Sequence, residues 1–227
     1  MEESQILFDF PTNINFSIKD FIPDDNNINA LKWLLQWPNW PNNRNVIFGQ
    51  ETCGKTHLAK LWIKSVNGNI ISKESTQIQP RNLIEKYDNF ALDDIHIFLS
   101  NDYQNTQAKW LFDFFNILNE SKNKYLLITT NTILYEKMTN LKDLESRLAS
   151  INVIKMNPPC ENTLKKILYK LANDLNLSIK DDVIDYILKY SSRDIKHIEK
   201  LIKDLDQTSI IERRNITIPL VKKMALK

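Results

Sequence analysis

The chain has 227 residues, 42% hydrophobic and 26% charged, the proportions of an ordinary soluble globular protein, and at this size about 70% of the unfolded surface is buried on folding, so a core forms without staples. Thirty Lys and Arg against 28 Asp and Glu leave a net +2, which argues against a general phosphate-backbone binder, whose basic excess would gather on one face. Cys53 and Cys160 lie far apart and read as reduced, intracellular thiols, and with His57, His96 and His197 they show no metal-ligand spacing.

In chain order, Met1–Asn15 is polar with a short apolar string at Ile6-Leu7-Phe8 and Phe10, and reads as a tail. Its acids stand where a secretory signal needs positive charge. No apolar run approaches the ~18–20 residues of a membrane span, so the chain is expected in the cytoplasm with no membrane partner. Phe21, Ile22 and the run Ala30–Leu35 open the folded part with a short helix. Pro38, Pro41, Asn42 and Asn43 mark a turn, and Asn45–Phe48 is a short apolar strand. Lys55–Val66 follows as a helix, with Leu58, Ala59, Leu61 and Trp62 at helical spacing. Ile70-Ile71 and Phe90-Ala91-Leu92 read as the second and third strands. Trp110–Leu118 is an amphipathic helix with a dense aromatic face. Tyr125–Thr129 and Val153–Met156 are the fourth and fifth strands. Strands alternating with helices predict an α/β fold, a parallel sheet flanked on both faces by helices. Pro158-Pro159 punctuates the chain. Beyond it only helices are predicted, over Glu161–Leu175, Asp181–Tyr190 and Asp194–Asp206, with Pro219 opening a last short one. The chain therefore divides into a tail (1–15), an α/β part (16–156) and a small all-α part (157–227), with no internal repeat.

Glycine is the informative count. The chain has three, Gly49, Gly54 and Gly68, where average usage would give roughly sixteen. Two of them bracket Gly49-Gln50-Glu51-Thr52-Cys53-Gly54-Lys55-Thr56, a full match to G-x-x-x-x-G-K-[ST] between a strand and a helix. Glycine permits positive φ and close backbone approach to phosphate. Successive N–H groups at a helix N-terminus then form an anion nest. Lys55 is expected to reach the β- and γ-phosphates of ATP, or the terminal phosphate of ADP, and Thr56 to hold Mg²⁺. Glu51 inside the loop would repel phosphate unless it points away. Cys53 reads either as a thiol of lowered pKa at the helix N-terminus or as a buried packing residue.

Phe90-Ala91-Leu92-Asp93-Asp94 is an apolar strand ending in two carboxylates. In a phosphate-loop protein such a strand lies beside the loop and its first acid holds Mg²⁺. That role falls to Asp93, and Asp94 is then placed to orient or deprotonate the attacking water. Thr129-Thr130-Asn131 ends another buried strand in small polar residues, either to hydrogen-bond water or the γ-phosphate or simply to turn the chain.

In this order the motifs resemble the AAA+ ATPases, specifically the branch of the replication initiator DnaA. Asp93-Asp94-Ile95-His96 is similar to that branch's magnesium motif, and Gly54-Lys55-Thr56-His57-Leu58 to its G-K-[ST]-H-L. Leu144-Glu145-Ser146-Arg147-Leu148 resembles its arginine-finger segment. Ser192-Arg193-Asp194-Ile195 resembles the segment that carries a sensor arginine on the helical lid. Phe21-Ile22 and Asn27 resemble the stretch beside the adenine. The resemblance runs from about Phe16 to the end. It implies a P-loop AAA+ domain followed by a helical lid, with Gly49–His57, Asn131, Arg193, Phe21 and Ile22 around ADP or ATP and Mg²⁺. It also implies Arg147 as a catalytic finger for a neighbouring subunit's γ-phosphate.

The chain ends at Lys227 without room for the initiator's C-terminal helix-turn-helix domain. It begins with Gln5-Ile6-Leu7-Phe8-Asp9-Phe10, which resembles the peptide that docks proteins on the replicative sliding clamp. There Phe8 and Phe10 would fill an apolar pocket beside Ile6 and Leu7, and Gln5 would make polar contacts. Trp37-Pro38-Asn39-Trp40-Pro41 and Ile218-Pro219-Leu220-Val221-Lys222 also look like the Hda-type regulators within that branch. Such a resemblance implies negative regulation of replication initiation. The chain would dock on the sliding clamp of DNA polymerase III, reach DNA indirectly through it, and promote hydrolysis of ATP held by DnaA. A homo-oligomer is a further assembly left open. Weak or no independent turnover is the accompanying expectation, since Gln50, Glu51 and Cys53 replace small residues of the initiator's loop. An autonomous ATPase of helicase-loader or initiator type is the alternative.

Overall fold

The computed structural model describes residues 21–99, 106–132, 142–191 and 194–225. The Gln5–Phe10 peptide and Arg193 therefore lie outside the described residues.

Strands β1 (Arg44–Phe48), β2 (Asn69–Ile71), β3 (Asn89–Leu92), β4 (Tyr125–Thr130) and β5 (Asn152–Lys155) form one parallel sheet in the order β2-β3-β4-β1-β5. Helices α1 (Ile28–Leu35) and α2 (Lys55–Ser65) cover one face. Helices α3 (Pro80–Lys86), α4 (Thr106–Glu120) and α5 (Lys142–Ala149) cover the other. The parallel sheet expected from the alternation of strands and helices is thus observed.

The two-residue period of the strands assigns the faces. Val46, Phe90, Leu92, Leu126 and Ile128 meet Leu111, Phe114, Phe115 and Leu118 of α4. The intervening Ile47, Ala91 and Leu127 meet Leu34, Leu58 and Trp62 on α1 and α2. Both faces are buried, so these strands read as continuous apolar runs rather than alternating ones. Aromatic rings fill each layer. Phe114 sits edge-on to Phe90 at 5.3 Å and stacks on Trp110 at 5.2 Å. Across the sheet Trp40 stacks on Trp62 at 5.1 Å, and its indole N–H donates to the Trp33 carbonyl at 2.9 Å.

After β5, four helices pack on one another: α6 (Glu161–Asp174), α7 (Asp181–Tyr190), α8 (Ile195–Glu212) and α9 (Ile218–Ala225). Leu168, Ile184, Ile187, Ile202, Leu205 and Val221 form their separate core.

Two helices of the α/β part were not anticipated. Helix α3 is short and buries only Leu83 and Ile84, too few positions for a period to show. Its signal was Pro80 at the first turn, where the missing N–H is harmless. Helix α5 holds the Leu144–Leu148 segment and buries those two leucines, four residues apart. Helix α8 runs past its expected end at Asp206. There Thr208 and Ser209 satisfy their hydroxyls on the carbonyls of Asp204 and Asp206 at 2.8 Å each, inside the helix.

Candidate functional site

The loop between β1 and α2 lies at the C-terminal end of β1, between β4 and β5, on the edge where ligands bind in open parallel sheets. Thr52 and Gly54 take positive φ, 72° and 95°. Gly49 is fixed by crowding instead: a Cβ there would meet the Met156 carbonyl at 2.1 Å. Lys55 is 5% exposed, and its ammonium donates to the carbonyls of Gly49 at 3.0 Å and Gln50 at 2.8 Å. The cation is thereby held inside the ring of loop amides. Cys53 is buried, and burial raises its thiol pKa, with the nearby Lys55 charge opposing. Of the two readings open for Cys53, packing is the one observed.

The sheet order sets β3 and β4 beside this loop. Asp93, just past β3, accepts from the Thr56 hydroxyl at 3.0 Å and from the Thr129 hydroxyl at 2.6 Å. Thr129 in turn accepts from the Asp94 backbone N–H at 2.8 Å. The end of β4 therefore braces the acidic pair. Asp94 has φ 52° and ψ 64° and lines the cleft in front of the loop. The side-chain amide of Asn131 donates to Glu51 at 3.1 Å. Glu51 thus points across the loop mouth to the next strand end, and the Asn131 carbonyl oxygen is buried without a partner.

The cleft has a volume of about 630 Å³ and is bounded by both the α/β part and the helical part. Phe21, Ile22, Asn27, His57 and the loop line one side. Phe21 stacks on His57 with ring centroids 6.1 Å apart. Asn27 is 4% exposed; it accepts from the Asp24 N–H at 2.8 Å and donates to the Ile22 carbonyl at 3.2 Å. Asn26 and Asp24 tie this segment to the linker before α6. Asn26 donates to the Pro158 carbonyl at 2.8 Å, and Asp24 accepts from the Cys160 N–H at 2.9 Å. These two residues escaped the sequence reading because each bond spans more than a hundred positions.

The opposite wall is α6 and the start of α8. Ile167, Lys170, Leu171 and Asp174 line the cleft from one face of α6, at the i, i+3, i+4, i+7 spacing of a single helical face. Asp194, Ile195 and Glu199 complete the wall next to Arg193 in sequence.

Arg147 stands elsewhere. It lies in the last turn of α5, just before β5 begins, and its guanidinium sits 5.7 Å over the Phe112 ring. Asn152 opens β5 in register with Asn45 near the start of β1. Arg147 is therefore beyond the N-terminal edge of the sheet, while the phosphate loop follows the C-terminal edge. At ~3.3 Å per residue, the five residues of β1 alone separate the two edges by about 15 Å. Arg147 cannot reach a ligand in its own cleft.

A loop with positive-φ turns at Thr52 and Gly54 leading into a helix N-terminus, a buried lysine and a hydroxyl-carboxylate pair fit a phosphate group with a divalent cation. Gly49 fixes the start of the loop by its close approach to the Met156 carbonyl, where no side chain fits.

Comparison with known proteins places this architecture. Residues 161–225 match the family model "Hda, lid domain". An uncharacterised protein of Haemophilus influenzae is 26% identical, with 78% of this chain and 79% of that protein covered. The chromosomal replication initiator DnaA of Buchnera aphidicola (subspecies Cinara cedri) is 28% identical, with 98% of this chain and 55% of DnaA covered. The chain thus spans about half the length of the curated DnaA relatives it matches. Domain III of the Thermotoga maritima DnaA superposes with a TM-score of 0.72 at 18% identity, covering 93% of this chain and 95% of that one. The AMPPCP-bound DnaA of Aquifex aeolicus gives 0.64 at 23% identity, covering 87% and 69%. The chain thus has the AAA+ fold seen in DnaA domain III, and the helices after the sheet match an Hda-like lid. Among the described residues no helix is long and apolar enough to cross a membrane.

Proposed function

We propose that this DnaA-branch AAA+ protein, with its Hda-like lid, is a nucleotide-binding regulator of replication initiation that acts on ATP held by DnaA. ADP or ATP occupies the cleft between sheet and lid. Lys55 and the amides of Gly49–Thr56 hold the phosphates, Thr56 and Asp93 hold Mg²⁺, and Phe21, Ile22, Asn27 and His57 flank the base. Mg²⁺ would supply charge neutralisation on the phosphates. Asp94, Asn131 and, from the lid, Arg193 face the terminal phosphate.

The observation that carries the reading is the separation of Arg147 from its own cleft. A chemistry open to such an arginine is neutralising the transition-state charge on a neighbour's γ-phosphate, worth roughly 10³–10⁵ in rate when supplied in trans. The Gln5–Phe10 peptide docks the chain on the sliding clamp, so the clamp on DNA brings Arg147 to DnaA. A clamp pull-down tests the docking. Capture by the intact chain, lost when Gln5–Phe10 is deleted, is the expected result; equal capture without the peptide would contradict it.

A second reading has one specific observation in its favour. Lys55, Thr56, Asp93 and Asp94 form a complete set at the loop, as an autonomous ATPase requires. Turnover by the isolated chain decides between the two. The proposed regulator hydrolyses ATP negligibly alone. Brisk turnover abolished by Lys55→Ala and Asp94→Asn would make the chain an ATPase in its own right.

A further inference from the structure

The segment before α1 is folded around Asp24. Its N–H donates to the side chain of the buried Asn27 at 2.8 Å, and its carbonyl accepts from the N–H groups of Asn27 at 3.1 Å and Ile28 at 2.8 Å. One carboxylate oxygen accepts from the Asn26 N–H at 3.0 Å and closes the turn. The other leaves the segment and accepts from the Cys160 N–H at 2.9 Å. Cys160 is the N-cap of α6, where the helix dipole also favours a carboxylate. Both oxygens of Asp24 are therefore engaged, one at home and one on the helical part.

Asn26 repeats the link. Its side-chain amide donates to the Pro158 carbonyl at 2.8 Å, and its own carbonyl accepts from the Asn157 N–H at 3.0 Å. Three hydrogen bonds thus tie these two residues to the linker at 157–160. What they tie together are two walls of the cleft that belong to separate cores. Phe21, Ile22 and Asn27 stand on one side, and Pro159, Ile167 and Leu171 on the other. Asp24 and Asn26 themselves do not line the cleft. The spacing of the walls matters for a flat apolar group held between them, since a gap of ~0.5–1 Å already forfeits a quarter to a half of the contact energy.

We infer that Asp24 is a positioning residue for the base of the bound nucleotide: through the Cys160 N–H it sets the wall at 21–27 against the wall at α6. This rests on the proposed nucleotide in the cleft. The phosphate loop is carried by β1 and α2, and none of the Asp24 bonds reaches it. Loss of Asp24 therefore loosens the grip on the base and leaves the grip on the phosphates.

Two ligands separate this role from general support of the fold. ADP engages the loop and the base walls, whereas pyrophosphate engages the loop alone. Each is titrated with Mg²⁺ into the full chain and into Asp24→Ala by calorimetry. ADP affinity is expected to fall about tenfold, the size of one charged hydrogen bond, with pyrophosphate affinity changed less than about twofold. Asp24→Asn, which keeps one acceptor oxygen and loses the charge, is expected to fall in between. Equal losses for the two ligands would mean that Asp24 only supports the fold, and an unchanged ADP affinity would mean that it sets nothing; either overturns the inference. Hydrogen exchange of the nucleotide-free chain supplies a readout without ligand. The Cys160 amide is expected to exchange about tenfold faster in Asp24→Ala, with the amides of β1 unchanged, and no change at Cys160 overturns the inference. An intact chain that binds neither ligand defeats the nucleotide reading itself, and with it any role of Asp24 toward a base.

Discussion

Glu51 is the residue in the phosphate loop with the clearest consequence. Its carboxylate reaches across the loop mouth to the Asn131 amide, in front of the place where a terminal phosphate would enter. A γ-phosphate adds negative charge close to this carboxylate, and unlike Asn131 it has nothing to offer Glu51. Glu51→Gln is therefore expected to tighten ATP binding about tenfold relative to ADP at low salt, less at high salt. Calorimetric titration with each nucleotide checks it, and equal tightening of both would show that Glu51 is not sensing the γ-phosphate. Single residues of the site differed in how legible they were. Gly49, Lys55 and Thr56 announce themselves because their spacing is set within one loop. Thr129 does not. Its residue type left two roles open, a bond to water or the γ-phosphate or a plain turn, yet it bonds Asp93 and the Asp94 N–H. That role exists only once β3 and β4 are neighbours, which no local pattern encodes.

At the scale of elements, α2 links the loop to the core. Trp62 on α2 is fully buried and stacked on Trp40, so the helix that carries Lys55 and Thr56 is anchored at its far end. Trp62→Ala is expected to cost about 3–5 kcal/mol in stability, read as a lower urea midpoint, with nucleotide affinity falling much less in the fraction that stays folded. A loss under about 1 kcal/mol would mean α2 is held by something other than this stack. The strands and long helices were readable because each carries several apolar positions at a fixed period. Helices α3 and α5 bury two residues each and offered none. The cleft face of α6 was not legible either: Ile167 and Leu171 keep ordinary helical spacing, which does not say that they line a cleft.

At the scale of the whole molecule, the sheet has two working edges. The C-terminal edge carries the phosphate loop, Asp93, Asp94 and the lid wall. The N-terminal edge carries Arg147. Sheet and lid both line the cleft at the first edge, so a nucleotide held there as proposed would touch both. The change from alternating strands and helices to helices alone was legible in the sequence after Pro158-Pro159. The opposition of the two edges was not, because it depends on parallel strands all running the same way between them. The most direct test of the account follows ATP bound to DnaA over time, with clamp-loaded DNA, adding this chain or its Arg147→Ala variant. The account predicts that the wild-type chain speeds loss of that ATP by about 10³-fold or more, only when the clamp is present, and that Arg147→Ala does not. Equal rates with the two chains would contradict it.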